Sequence, residues 1–323
     1  MKKYIIILAV LFSQVKLLAQ DPNFSQYFAS PMNFNPALLG SDMHKEYKIN
    51  LLTRQKWWGE NAKPFVTNAI SVQKQITATT SQSNLMYVGV QMLNERSSDG
   101  VLTNSYFGTA INDKIKLAEY DFLSTSLSFA YSNRMVDLSV ATFQTQFGSF
   151  GFVPSSVNYD PISLASKKYF DLNAGVSFDH QGKDQLDYQF GLGLFHVNRP
   201  GQSVLNNDNY KLNIRTVLHG SLSYKLKNKD IVYAGINMQA QGQDRIFTIG
   251  GNYTRKFDEL KNIYLTVGLW DRWGEAFYPY FGLKYNDIGI GISYDVPPTE
   301  LRSRIGATNS MEATISWDLG KKK

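Results

Sequence analysis

Few residues of this chain are spaced for chemistry. Its four histidines, His44, His180, His196 and His219, are scattered and show no paired spacing of the kind that holds a metal. His196 is the most reactive candidate, because Asn198 and Arg199 follow it at the end of an apolar run. A serine-histidine-asparagine site of the lipase type would also need a positioned serine, and sequence alone cannot place one. Pairing with a nearby loop, or a place at a membrane interface, accounts for His196 as well. Gly191 and Gly193, like Gly289 and Gly291, alternate within apolar stretches and form no phosphate loop. Asp258 and Glu259 fall in a turn, and the charged residues of 295–309 read as a solvated loop face. The sequence therefore predicts no catalytic residue, no metal and no cofactor.

The segment that stands out does so through contacts. "QDPNFSQYFASPMNFNPALLG" (residues 20–40) is rich in Asn, Pro and aromatic side chains, and Asp21 is its one ionisable group. Pro22, Pro31 and Pro36 limit its freedom and so reduce the entropy lost when Phe24, Tyr27 and Phe34 dock against a surface. Two roles stay open for it, a structural plug or a protein-binding segment.

The elements that must position these residues begin with a leader. Lys2 and Lys3 precede an apolar run from Tyr4 to Phe12, and Ala19 stands before the polar "QDPNFSQ", the layout of a secretory signal peptide over residues 1–19. A membrane-spanning helix needs roughly 20 apolar residues, and Ser13, Gln14 and Lys16 interrupt this run early. The formal charge of +6 comes from 33 basic and 27 acidic groups. Lys2, Lys3, Lys16 and the tail Lys321, Lys322 and Lys323 supply six of the bases, and neither segment holds an acid. Residues 21–320 are therefore formally neutral, which removes the basic footprint of a nucleic-acid binder. The absence of cysteine fits an exported protein large enough to stand without disulfides.

Beyond the leader the chain reads as hairpins. Leu123, Thr125, Leu127, Phe129 and Tyr131 alternate with Ser124, Ser126, Ser128, Ala130 and Ser132, one apolar face against one small and polar. The same two-residue period returns around Leu172–Phe178, Ile263–Leu269 and Ile288–Ile292. About fourteen such segments lie near 46–53, 65–75, 85–93, 105–117, 122–133, 169–179, 188–196, 214–226, 230–240, 246–256, 262–271, 277–285, 287–294 and 310–319. Many have the roughly 9 to 11 residues of a tilted membrane-crossing strand. Connections alternate between longer ones, such as 134–168, 197–213 and 295–309, and tight turns such as "AEYD", "KNKD" and "YND". Outer-membrane barrels put the long ones outside and the short ones in the periplasm. Tyr131, Phe178, Tyr224, Trp270, Tyr278, Tyr294 and Trp317 lie near strand ends, where interface girdles are expected. The expectation is an all-β, transmembrane, antiparallel up-and-down β-barrel of about fourteen strands over 46–320. Residues 20–45 would precede it as a periplasmic or lumenal segment, and 321–323 would follow as a basic tail.

On these residues the chain resembles the PorP/SprF family of type IX secretion system membrane proteins. The family's opening box is similar to Asp21 and Pro22, then Phe24, Ser25, Gln26 and Tyr27, then Asn35, Pro36 and Ala37 with Gly40. "RQKWW" resembles its Arg-x-Gln-Trp with altered spacing, through Arg54, Gln55 and Trp57, and His196 with Pro200 matches a mid-chain His-x-x-x-Pro. "GIGISYDV" and the closing "MEATISWDLG" also fit, although the chain lacks a terminal aromatic residue. The resemblance implies an outer-membrane component of the secretion apparatus that aids export or surface retention of large proteins, gliding adhesins included, by recognising their C-terminal sorting domains. It implies secreted proteins with those domains, other type IX components and outer-membrane lipid as partners. A different reading, a channel or transporter of hydrophobic solutes, is compatible with a barrel of this width.

Overall fold

A computed structural model describes residues 21–41, 43, 45–58, 64–76, 84–97, 100–137, 147–148, 151–152, 164–182, 185–204, 210–258, 262–298 and 309–322. The leader expected at 1–19 lies outside them. The strands are β1 (Lys45–Trp58), β2 (Phe65–Gln75), β3 (Asn84–Ser97), β4 (Leu102–Lys116), β5 (Asp121–Asp137), β6 (Phe147–Gly148), β7 (Gly151–Phe152) and β8 (Leu164–Gln181). They continue with β9 (Leu186–Phe195), β10 (Arg215–Lys225), β11 (Ile231–Gln241), β12 (Asp244–Asp258), β13 (Ile263–Arg272), β14 (Ala276–Tyr285), β15 (Ile288–Asp295) and β16 (Asn309–Lys322).

Fourteen of these close into one antiparallel barrel in the order β1-β16-β15-β14-β13-β12-β11-β10-β9-β8-β5-β4-β3-β2. The pair β6–β7 forms a separate two-stranded hairpin in the excursion between β5 and β8. Closure is made by β1 against β16, from Lys45↔Lys322 to Trp58↔Asn309, so β16 runs two residues into the lysines that the sequence reads as a tail. Closing the sheet leaves no edge, the condition for putting β-structure into lipid. Among the described residues no helix is long and apolar enough to cross a membrane.

The two-residue period sets the faces. On β5, Leu127, Phe129 and Tyr131 are exposed while Ser124, Ser126 and Ser128 are buried, and β15 repeats this with Ile288, Ile290 and Ile292 outward and Ser293 inward. Large apolar side chains outside and small polar ones inside is the arrangement for a protein whose outer solvent is hydrocarbon. Several strands exceed their sequence-predicted ends. β5 and β8 stay paired up to Asp137↔Leu164, past Asn133, Arg134, Lys167 and Lys168. The ladder needs only backbone groups, so it continues after the apolar alternation that reveals it in sequence has stopped.

One end of the barrel carries the connections 59–64, 98–101, 138–163, 196–214, 242–243, 273–275 and 296–308, and the other carries 76–83, 117–120, 182–185, 226–230, 259–262 and 286–287. Residues 21–41 run through the lumen from the first end towards the second, where β1 begins. They fold into a 3-10 turn at Tyr27–Ala29, a single α turn at Pro31–Phe34 and a 3-10 turn at Pro36–Leu38.

The two faces generate a prediction. Leu127→Arg, on the exposed outer face near mid-strand, should cost about 2–4 kcal/mol of barrel stability. Ser223→Arg, which faces a spacious part of the lumen, should cost far less. Urea unfolding in bilayers measures both, and equal losses would mean that the outer face does not meet lipid.

Candidate functional site

The lumen is occupied by its own N-terminal segment, held at three levels. At the level nearest the long connections, His196 Nε2 lies 2.7 Å from Asp21 Oδ2 and its Nδ1 lies 2.9 Å from Asp171 Oδ2. Arg215 Nε is 3.3 Å from the same Asp21 oxygen, and its Nη2 donates to the Asn33 carbonyl at 2.6 Å. His196 sits one residue beyond β9 with φ +58, and its backbone N–H donates to Asn173 Oδ1 at 3.0 Å. Burial alone would lower the imidazole, but the Asp21 charge and the hydrogen bonds to Asp171 and Asp21 raise it to about 9. Burial pushes the Asp21 carboxyl up, yet the His196 and Arg215 charges outweigh that and hold it well below the usual carboxylate range.

One level down, two arginines and two carboxylates meet the plug backbone. Glu312 accepts the Ser25 N–H through Oε2 at 2.9 Å and the Gln26 N–H through Oε1 at 2.8 Å. The Ser25 hydroxyl donates to Asp295 Oδ1 at 2.7 Å and accepts from Arg272 Nη2 at 2.8 Å. Asp295 Oδ2 takes Arg272 Nη1 at 3.0 Å and Arg54 Nη2 at 3.1 Å, while Arg54 Nε faces Glu312 Oε2 at 3.8 Å. Gln26 Nε2 donates to the Glu312 carbonyl at 3.0 Å, and Thr314 Oγ1 donates to Gln26 Oε1 at 2.7 Å. Arg54, Arg272 and Glu312 are each at most 2% exposed. Charges removed from water to this degree persist because they balance two against two and every carboxylate oxygen of the cluster accepts at least one hydrogen bond. In the turn after β13, burial would raise the Glu275 carboxyl, but Arg272 and Lys56 bring it down to about 2.

Aromatic rings and amides complete the seat. Tyr27 packs edge-on to Trp270 with centroids 5.6 Å apart and lies 4.5 Å from Phe34, and Phe28 meets Tyr280 at 5.3 Å. Below them Asn35 Oδ1 caps the turn by accepting the Ala37 N–H at 3.0 Å, and its Nδ2 donates to the Val176 carbonyl at 3.1 Å. A Cβ on Gly175 would stand 2.1 Å from Asn35 Oδ1, so the wall must be glycine where the plug presses against it. Asn112 Nδ2 donates to the carbonyls of Ala37 and Leu39, and the Gly40 N–H donates to Gln73 Oε1 at 3.0 Å. Gly40 has φ +83 and lies flat on the Tyr87 ring, a double requirement for glycine.

The residues singled out in sequence are thus largely brought together. Asp21, Ser25, Gln26, Tyr27, Asn35 and Gly40 touch the wall directly, Arg54 joins the charge cluster, and His196 meets Asp21. Pro36 starts the lower 3-10 turn, and Phe24 is buried with Leu52 and Leu93. Pro22 lines a small cavity near Asp21, and the Pro200 carbonyl accepts from the Leu212 N–H at 2.9 Å. Trp57 stays apart. It is exposed, edge-on to Phe65 at 5.6 Å, with the Lys56 amine over its ring at 4.4 Å.

Two expectations are corrected. Asp295 is not on a solvated loop face but 4% exposed in the charge cluster, because β15 delivers it to the lumen. Trp270 and Tyr278 are not girdle residues. Both are 1% exposed and stack inside the barrel, their planes 9° apart. The sequence reading missed Arg272, Glu312, Asp171 and Arg215. Strand parity could have found Arg272 and Trp270, since both lie opposite Val267 and Leu269.

Residues 17–317 match the family described as type IX secretion system membrane protein PorP/SprF. No curated protein matches the chain significantly. Among solved structures, the toluene transporter TbuX of Ralstonia pickettii is similar at 12% identity, with 89% of this chain and 92% of that chain covered and a TM-score of 0.54. A deltaS2 mutant of the monoaromatic hydrocarbon channel TodX is similar at 11% identity, covering 88% and 92%, with a TM-score of 0.52. At these identities the likeness concerns the barrel alone.

Two predictions test the seat. Arg272→Gln leaves Asp295 and Ser25 under-paired, and losing one partner of a buried ion pair costs about 3–5 kcal/mol. The variant should still close as a barrel but expose residues 21–40 to protease in purified, membrane-reconstituted protein. A digestion pattern identical to wild type would count against the cluster as the main anchor. The second concerns pH. The folded state raises His196, so its contribution is complete below the ordinary value of 6.5 and is lost as pH climbs through about 9. Asp21, which is lowered, stays charged throughout that range. Hydrogen exchange of the plug amides near Asp21 should therefore accelerate between pH 6.5 and 9.5 beyond the intrinsic pH effect, and His196→Gln should abolish that excess.

Proposed function

The chain belongs to the PorP/SprF family of type IX secretion system membrane proteins, and from that premise we propose that it is a closed outer-membrane docking barrel which aids export or surface retention of large secreted or adhesin proteins by recognising their C-terminal sorting domains. The family and the outer-membrane barrel stand on the match over 17–317 and on the fold. The sorting-domain partner is our own step. The observation that carries it is the lumen: the segment from Asp21 to Gly40 is bonded to the wall at three levels, which suits a receptor or platform better than a pore. The longer connections 138–163, 196–214 and 296–308 mark the outer face by the length rule for outer-membrane barrels. Cargo would then be met at the mouth where Asp21, His196 and Arg215 join the plug to the wall. Association with other components of the secretion apparatus follows from the family and is proposed for the opposite, periplasmic mouth. No catalytic step is assigned.

A transport reading is favoured by one feature. On the β8–β14 side, a space of about 770 Å³ opens at the short-turn end between the plug rings Tyr27, Phe28 and Phe34 and a wall that includes Gln189, Asn252 and Thr254. The plug residues Tyr27, Phe28, Pro31, Phe34 and Leu38 form one side of it, so flux along the lumen would require the plug to move.

Affinity isolation from outer membranes separates the readings. Proteins bearing C-terminal sorting domains should co-purify with the wild type, and deleting the gene should remove them from the cell surface. Their absence from the isolate, together with solute flux through the reconstituted wild-type barrel, would replace docking with transport.

A further inference from the structure

Along one row of the described residues the outer wall departs from a lipid-facing pattern. Thr53, Asn68, Asn94, Ser105, Asn133 and Lys168 are directly opposed in register across β1, β2, β3, β4, β5 and β8, forming one unbroken polar row. Their parity is that of the outward residues: one step down lies the row Leu51, Ile70, Met92, Phe107, Tyr131 and Phe170, all exposed. The first five polar residues line, with Leu51, Ile70, Met92, Phe107 and Tyr131, a shallow outer concavity of about 760 Å³.

The row lies at the upper margin of the apolar belt. Asn68 lies three residues along β2 from Phe65, and Thr53 lies four along β1 from Trp57, the rings that meet at the aromatic rim. At about 3.3 Å per residue and a tilt of about 45°, both polar groups sit roughly 7–10 Å beneath that rim, and the outward row between, Gln55, Val66, Arg96, Thr103, Met135 and Ser166, is also mostly polar, so the two rows form a polar band directly above the apolar belt. Carboxamides facing bare hydrocarbon are unfavourable unless bonded. Two cross-strand bonds help, Thr53 Oγ1 donating to Asn68 Oδ1 at 2.9 Å and Asn94 Nδ2 donating to Ser105 Oγ at 3.0 Å. Each amide has two donors and two acceptor lone pairs, so most of the row's capacity is left for an incoming group. Asn133 Oδ1 is shielded and has no hydrogen-bond partner among the described residues.

Charge identifies the occupant. Two residues beyond Asn94, and also outward, stands exposed Arg96, and exposed Lys168 ends the row. Three inter-strand steps separate their strands, about 14 Å at roughly 4.8 Å each, a span that a disaccharide bridges. We propose that this surface binds a phosphorylated, multiply acylated glycolipid of the outer leaflet. Arg96 and Lys168 take its phosphates, the Asn and Ser side chains take the amide and ester groups of its chains, and the chains lie along Leu51, Ile70, Met92 and Phe107. A purely apolar chain would not use the amides, and a neutral lipid would not use the two cations. The proposal rests on the outward placement of the long connections, not on the secretion reading.

The probes are bisphosphorylated lipid A, its dephosphorylated form and phosphatidylethanolamine, presented to the full-length mature barrel in nanodiscs and read by native mass spectrometry. Wild type should retain bisphosphorylated lipid A at least tenfold better than either other lipid. Arg96→Gln with Lys168→Gln should remove that preference. Asn68→Leu with Asn94→Leu should lower retention while leaving heat-modifiable migration intact. Equal retention of all three lipids by wild type overturns the proposal, a result that needs no variant to fold. So does a co-purifying protein that Asn68→Leu with Asn94→Leu releases while lipid A retention is unchanged, which would make the row a protein contact. Neither result bears on sorting-domain cargo.

Discussion

The structure depends on one requirement: an irregular chain segment inside a barrel must have its backbone hydrogen bonds supplied by the wall. Ser25 and Gln26 lie outside any helix or strand ladder, and their N–H groups both point at Glu312. A carboxylate is the strongest acceptor available for two adjacent donors. Once it is buried, a cation must follow it, and Arg54 does so. Arg272 and Asp295 then form a second pair, joined to the first through Arg54 and to the plug through the Ser25 hydroxyl. Removing any of the four leaves a buried charge with too few partners, so the cluster stands or falls as a unit.

The rest of the lumen follows from the same demand, met with weaker groups. Asn112 serves two carbonyls of the lower plug, Gln73 serves Gly40, and Arg215 serves Asn33. Wall side chains are kept small where the plug comes close, as at Gly175, and become large where it leaves room, as at Trp270 and Tyr278. The plug and the inner wall therefore behave as one packed core. In this barrel the buried polar residues do what apolar side chains do in a soluble protein, because apolar surface has been given to the lipid side.

That inversion explains what the sequence reveals. The fourteen barrel strands are legible because lipid imposes a two-residue period on the outer face and the bilayer sets the strand length. The plug is recognisable as a segment from its prolines and aromatics, yet its partners are not: parity with Met311 and Ile315 puts Glu312 inward without saying what it meets, and Asp295, at the end of β15, looks the same in sequence as a loop charge. Asp295 reads as solvated for that reason. Trp270 and Tyr278 read as girdle residues by nearness to a strand end, although parity with Leu269 already puts Trp270 on the inner face. His196 stood out as a lone histidine near Asn198, but its carboxylates come from Asp21 and Asp171, far apart in sequence, and only barrel closure unites them.

The plug is also uneven in how it fills the lumen, and this bears on how the two mouths differ. Near the long connections its polar groups are pinned by charge, with Asp21 between His196 and Arg215. Towards the short turns its aromatic side is left facing open space beside β8–β14. A force or partner acting from the short-turn end meets plug rings in a space whose wall also carries Asp179 and the Asp187–Lys225 pair, and among the described residues no ion pair there ties the plug to the wall. One acting from the other end must first contend with the charged anchors. The plug is thus anchored unevenly across the membrane, by charge near the long connections and by packing and neutral hydrogen bonds towards the short turns.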